Sequence, residues 1–169
     1  PNDRHINARV GHATSKDLVN WTEHGEAIGP SPVPACDDGA TWTGCTIKRP
    51  DGKWMMFYTG CSRREDYKIQ RICAAVSDDL HSWTKLAENP LFEADARYYD
   101  KLDLSKWHDE AWRDPWVFQI PGDPRWHMTI TARGKEGPLR GRGAIAHAVS
   151  QDLVNWTVKP PVHVSDRYG

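Results

Sequence analysis

One phrase occurs three times along this chain, and it constrains the fold more than any single residue. It reads A-x-S-x-D-L-x-x-W-T, running from Ala13 to Thr22, from Ala75 to Thr84 and from Ala148 to Thr157. Its tryptophans, Trp21, Trp83 and Trp156, stand 62 and 73 residues apart. Recurrence at such intervals marks a repeat architecture, in which each unit buries its apolar face against its neighbours. A second match fixes the register. Trp54, opening a segment that ends at Thr59, lies 29 residues before Trp83, and Trp126, opening one that ends at Thr131, lies 30 before Trp156. Trp21 has no such counterpart upstream, so the chain is expected to begin inside a unit and to be a fragment, residues 1–169, of a single domain.

Within each unit the pattern is strand-like. The stretches 42–48, 53–59, 70–77, 115–119, 126–132 and 143–149 are rich in β-branched and aromatic residues. They are separated by the turn signals at Pro50-Asp51-Gly52, Pro121 to Pro124 and Gly141 to Gly143. No sustained helical period is present, so an all-β chain is expected. The repeated phrase reads as a hairpin: a strand ends at Ser, the Asp carboxylate bonds the backbone two residues on, Leu tucks under, and Trp opens the next strand and buries its ring. Units of this length with about four strands suit the blades of a β-propeller, although WD-type blades are shorter, at about 40–45 residues. The tryptophans of the phrase are read as packing residues.

The 22 Lys and Arg balance 23 Asp and Glu, and without a basic stripe nucleic acid is not an expected partner. No apolar run approaches a membrane span, so no membrane partner is expected either. The chain starts at Pro1 rather than Met, which leaves localisation, secreted or cytoplasmic, unassigned. The four cysteines, Cys36, Cys45, Cys61 and Cys73, have no C-x-x-C spacing, so a zinc site is not expected; no other cofactor is expected either. The sequence leaves both their pairing and the oligomeric state open.

Two motifs differ between units where the rest agrees: Thr41-Trp42-Thr43-Gly44-Cys45, and Trp112-Arg113-Asp114-Pro115-Trp116. Alignment of the units puts both on innermost strands, facing a central funnel. Pro115 cannot donate to a ladder and belongs at the first residue of a strand or on an edge. Pro also biases the preceding residue toward extended backbone. Asp114 is therefore expected to be extended, at a strand mouth, with Arg113 beside it to hold the carboxylate ionised or to grip a hydroxyl.

At this point the chain resembles glycoside hydrolase family 32, the β-fructosidases, and through it the clan containing the levansucrases. The segment Gly11 to Trp21 matches that family's end-of-first-blade segment, Trp42-Thr43-Gly44-Cys45 resembles its Phe-Ser-Gly-Ser motif, and Arg113-Asp114-Pro115 matches its Arg-Asp-Pro motif. The resemblance implies a partial five-bladed β-propeller, comprising the end of one blade and about two complete four-stranded blades. It also implies a retaining glycosidase acting on an oligo- or polysaccharide such as sucrose or a fructan. It makes Asp114 the transition-state stabiliser and offers Arg113, Trp42, Thr43 and Trp112 as substrate-binding residues. The family's nucleophile lies in a Trp-x-Asn-Asp-Pro-Asn-Gly segment that Pro1-Asn2-Asp3 does not match. Its acid/base glutamate follows the third phrase, beyond Gly169. The isolated 169 residues are therefore expected to be inactive. Asp109 and Glu110 are read as a solvated loop, His12 and His147 as packing, and the aromatic stretch from Arg97 to His108 as either a specificity loop or a plain insertion. The alternatives are an arabinanase or xylosidase-type propeller, a fructosyltransferase, and a non-catalytic carbohydrate-binding propeller. A sialidase-type propeller is disfavoured, because Val19, His81 and Val154 stand where its hairpin needs Gly.

Overall fold

A computed structural model of the chain describes residues 3–167. Pro1, Asn2 and the Asp3 side chain, the tripeptide set aside as a nucleophile, lie outside the described residues. The order of strands is β1 (Val10–Ser15), β2 (Trp21–Ile28), β3 (Ala40–Lys48), β4 (Trp54–Cys61), β5 (Gln70–Ser77), β6 (Thr84–Lys85), β7 (Trp112–Gln119), β8 (Trp126–Arg133), β9 (Gly143–Ser150) and β10 (Trp156–Val164). Each long strand inferred from the residue pattern is present: 70–77 has the inferred bounds, 53–59 is shifted to Trp54–Cys61, and the other four are longer by one to three residues at one end. Three short 3-10 turns are the remaining regular elements among the described residues. The strands form a two-stranded sheet, β1-β2, and two four-stranded antiparallel sheets, ordered β3-β4-β5-β6 and β7-β8-β9-β10.

The repeated phrase builds the same turn three times, as its residues require. β1, β5 and β9 end on Ser15, Ser77 and Ser150. In the third copy the Ser150 hydroxyl accepts the N–H of Leu153 at 2.9 Å, and Asp152 Oδ1 accepts those of Val154 and Asn155 at 2.9 and 2.7 Å. Asp17 and Asp79 bind their turns in the same way. With the Asp152 N–H, which donates to the Ser150 hydroxyl at 3.2 Å, four backbone donors in a tight space hold the intervening Leu in the left-handed region, with φ of 61° at Leu18, 67° at Leu80 and 70° at Leu153. A branched side chain adopts that conformation only when its surroundings over-determine it.

The copies differ in what covers them. Leu153 is 2 % exposed and lies in the main core, and the partly buried Trp156 packs against that core, stacked near Phe92 and edge-on to Phe57. Trp83 packs beside Met56, Tyr58 and Cys73 in a second cluster. Trp21, expected to be buried, is 55 % exposed, and Leu18 is 77 % exposed. β1 and β2 pair only with each other; their far end packs Ile28, Val10 and Ala27 against Met56 and Tyr58, whereas at the turn end Leu18, Val19 and Trp21 stay exposed among the described residues.

The main core lies between the two four-stranded sheets. Met55 and Phe57 on β4, Ile72 and Ala74 on β5, Trp112 and Val117 on β7, and Met128 and Ile130 on β8 are all buried in it. At about 1.5–3 kcal/mol per large apolar side chain, this seam is what fixes β7 against β3, β4 and β5. The long connection from β6 to β7 is tied in as well. Tyr99 is 1 % exposed, its hydroxyl donates to the Lys159 carbonyl at 2.8 Å, and Trp107 lies 3.6 Å under the Arg133 guanidinium. Tyr99 and Trp107 thus anchor the stretch from Arg97 to His108 to its own sheet, while Leu104 and His108 stay exposed.

Candidate functional site at the seam of two sheets

β3 and β7 are the end strands of their sheets, and they meet each other. Each is irregular at the same place. On β3 the pairing with β4 jumps from Trp42 opposite Thr59 to Gly44 opposite Tyr58, leaving Thr43 bulged out. On β7 it jumps from Arg113 opposite Thr131 to Trp116 opposite Thr129, taking Asp114 and Pro115 out of the ladder. Bulges re-aim side chains at sheet edges and beside active sites. Pro115 thus sits on an edge strand, as expected, but inside it and at a bulge rather than at its first residue.

Asp114 departs from expectation. It is not extended: its φ is 57°, in the left-handed region that Asp tolerates better than most residues. The cause lies in the other sheet. The Thr59 hydroxyl, fully buried on β4, accepts the Asp114 N–H at 3.0 Å and donates to the Thr43 carbonyl at 3.1 Å. One hydroxyl thereby ties both bulges together and draws the Asp114 backbone out of its own ladder.

The side chains of Asp114 and Arg113 remain 40 % and 33 % exposed. Both face a cavity of about 650 Å³ that Trp42 and Thr43 also line. Arg113 is clamped. Its Nη1 donates to Gln70 Oε1 at 2.9 Å and to Asp109 Oδ2 at 3.0 Å, while its Nε lies 3.8 Å from Asp114 Oδ2. Gln70, 1 % exposed, is itself held because its Nε2 donates to Asp109 Oδ2 at 3.0 Å. The Trp42 indole N–H donates to the His5 carbonyl at 2.9 Å, which leaves the ring along the cavity wall. Gly44 has no alternative at its position: a Cβ there would lie 1.8 Å from the Phe57 carbonyl oxygen. Cys45 faces the seam, where its sulfur accepts the Val117 N–H at 3.3 Å, and burial pushes its thiol pKa up. Opposite, Asp66, Tyr67 and Lys68 form a rim in which Asp66 and Lys68 pair at 2.7 Å.

Of the five residues singled out in sequence, Asp114, Arg113, Trp42 and Thr43 meet in this cavity. Trp112 does not. It is fully buried in the core, against Tyr99 at 5.0 Å and Phe92 at 5.9 Å between ring centroids, because successive residues of β7 point to opposite faces. Asp109 and Glu110 also depart from their reading as a solvated loop. Asp109 buttresses Arg113. Glu110 is 2 % exposed, pairs with Lys101 and accepts the Leu102 N–H at 2.8 Å. Thr59 and Gln70 were missed. Thr59 ends a repeated segment, but nothing local marks its hydroxyl as a bridge. Among the described residues no group of three His, Cys, Asp or Glu side chains is arranged to hold a metal ion.

The family model for the glycosyl hydrolases family 32 N-terminal domain matches residues 3–167. The chain belongs to this family. It is 34% identical over 162 residues to an insoluble β-fructofuranosidase isoenzyme of Arabidopsis thaliana, covering 94% of this chain and 26% of that protein. It is 30% identical over 164 residues to fructan 6-exohydrolase of Beta vulgaris, covering 94% and 25%. Fructan 1-exohydrolase IIa of Cichorium intybus superposes with a TM-score of 0.74 at 26% identity, over 95% of this chain and 28% of that one. A variant of that enzyme, in complex with 1-kestose, superposes with a TM-score of 0.75. The family 32 segment thus spans about a quarter of the length of the relatives it matches. Its four-stranded antiparallel sheets are blades of the family's β-propeller.

Proposed function

We propose that these residues form part of the catalytic propeller of a retaining glycosidase that hydrolyses β-fructofuranosides, sucrose or fructans. Residues 1–169 then belong to one domain rather than to two. The observation that carries the reading is the convergence of Asp114, Arg113, Trp42 and Thr43 on one cavity at a doubly bulged seam, in a family 32 chain whose relatives are named β-fructofuranosidases and fructan exohydrolases.

A retaining glycosidase uses a carboxylate nucleophile and a carboxyl acid/base about 5–5.5 Å apart, flanking an oxocarbenium-like transition state. Asp114 acts as a third carboxylate. It accepts hydrogen bonds from hydroxyls of the fructosyl ring, and its negative charge steadies the positive charge that develops on that ring. Arg113 donates to the same sugar. The Asp109 carboxylate and the Gln70 amide oxygen fix the plane of its guanidinium before substrate arrives, so little side-chain entropy is lost on binding. The Trp42 ring offers an apolar face to the sugar, and the bulged Thr43 a hydroxyl. This part of the reaction needs no cofactor.

The test uses a polypeptide that carries these residues together with the two other funnel carboxylates, assayed on sucrose, inulin, arabinan and xylan. Release of fructose from sucrose or inulin, with retention at the anomeric carbon, is expected. Turnover of arabinan or xylan alone would overturn the substrate assignment.

A further inference from the structure

Away from the cavity, the connection between β2 and β3 brings Cys36 to Cys73 on β5, with the two sulfur atoms 3.5 Å apart. Both are free thiols, Cys36 half-buried and Cys73 fully buried. The surroundings hold them there. On one side of Cys36, Ala35 donates its N–H to Asp38 Oδ2 at 3.2 Å. On the other side, Asp37 accepts the Tyr58 hydroxyl at 2.8 Å and pairs with Lys85. Asp38 in turn accepts from Ser62 and Arg63 at 3.0 and 2.9 Å. Gly60 completes the pocket: a Cβ there would come 2.7 Å from the Cys73 sulfur and 2.9 Å from Asp37 Cβ, so only glycine leaves room for the pair.

The geometry points to a covalent modification site: Cys36 and Cys73 form a dithiol that closes to an intramolecular disulfide when a small disulfide oxidant such as oxidised glutathione is present. A disulfide needs its sulfur atoms about 2.05 Å apart and its Cβ atoms about 3.5–4.5 Å apart, so closure asks for side-chain rotation over an approach of about 1.5 Å. The Cys73 thiol lies against the Cys36 sulfur and lowers its pKa, while its own is raised well above the ordinary value, first by that same hydrogen bond and then by burial. Cys36, the more accessible and the more acidic, attacks first. Its thiolate displaces one glutathione thiolate and carries the other glutathione as a mixed disulfide. The Cys73 thiolate then attacks the Cys36 sulfur, and the second glutathione leaves. The two thiol protons end on the two glutathione molecules, which have accepted the two electrons. The link joins positions 37 residues apart and closes a loop around β3 and β4, with Trp42, Thr43 and Thr59 inside it. It does not depend on what the cavity binds.

The experiment incubates the native 169-residue chain with oxidised glutathione, then unfolds it in denaturant so that the buried Cys61 and Cys73 are reachable, alkylates the remaining thiols and maps the peptides by mass spectrometry. The expected result is loss of alkylation at two of the four cysteines and a cross-linked peptide pair containing Cys36 and Cys73, reversed by dithiothreitol. The oxidised chain should melt several degrees above the reduced one, because closing a loop of this length removes entropy from the unfolded ensemble. Four alkylated cysteines, a stable glutathione adduct on Cys36 with no cross-link, or a link through Cys45 or Cys61 would each overturn the proposal.

Discussion

The Thr59 hydroxyl accepts the Asp114 N–H at 3.0 Å across the seam between two sheets, 55 positions away in sequence. One buried oxygen thus connects the strand beside the Thr43 bulge to the carboxylate-bearing bulge of the neighbouring blade.

Replacing Thr59 by the isosteric Val removes that oxygen and leaves the Asp114 N–H and the Thr43 carbonyl without it. The cost expected for a stranded buried polar group is about 1–3 kcal/mol. Urea unfolding of the Thr59→Val chain reads this as a lowered midpoint at unchanged slope, whereas Thr59→Ser, which keeps the hydroxyl, stays closer to the parent. Equal midpoints for Val and the parent would show that the bridge contributes nothing.

Asp114→Asn keeps the shape of the bulge and removes the charge. Charge-assisted hydrogen bonds contribute about 1.5–3 kcal/mol each, so losing two of them lowers kcat by about 10²–10⁴, and by tenfold at the least. The measurement is kcat on sucrose or inulin in an active polypeptide carrying these residues, with circular dichroism to show an intact fold. An unchanged kcat removes Asp114 from the site.

Gly44 sits where a Cβ would be driven into the Phe57 carbonyl. Gly44→Ala is expected to destabilise the chain by about 3 kcal/mol or more, the upper range for overpacking, because backbone rather than a side chain must move. A thermal melt within a degree of the parent would contradict the bulge geometry.

Trp21 and Trp156 hold the same place in the repeated phrase and differ in cover. Trp156→Ala should cost about 3 kcal/mol, the low end for loss of a packed aromatic ring, whereas Trp21→Ala should stay within about 0.5 kcal/mol, as exposed positions do. Denaturation midpoints of the two variants decide the matter, and equal losses would show that the first hairpin is covered after all.

The turn aspartates make a pH prediction. Backbone donors, Ser82 first, lower the Asp79 carboxyl to about 2 from an ordinary 3.8. Asp17 is lowered chiefly by the Asn20 N–H, and Asp152 chiefly by the Asn155 side chain. A depressed folded-state pKa contributes stability that is fully present above the unfolded value and is lost as pH falls toward the folded one. The melting temperature is therefore expected to drop between about pH 4 and pH 2. The drop is smaller in Asp152→Asn, whose amide does not titrate. Identical pH profiles for that variant and the parent would mean that Asp152 takes no part.

Much of the fold was legible because the repeated phrase states its turn chemistry in side chains. Ser, Asp and Trp each bond within a few residues of themselves, and the intervening strands carry the β-branched and aromatic residues that pleated sheets bury. The motif around Asp114 was legible for a similar reason: proline on a strand restricts where that strand sits. The conformation of Asp114 was not legible, because its N–H partner lies in another sheet and no local rule names Thr59. The clamp on Arg113 was hidden in the same way. Asp109 read as loop, and Gln70 lies 43 positions from Arg113. Trp112 read as a cavity residue through its neighbours, yet the strand alternation turned it into the core.

The sequence alone determined the strands, the hairpin turns and the family 32 character of the chain, since these rest on contacts between residues close in the chain or on motifs read in order. The tertiary structure decided which tryptophans are covered, where the bulges fall, and how Arg113 and Asp114 are held. Those outcomes depend on which sheet lies against which, and that is set by apolar burial summed over the whole seam rather than by any short run of residues.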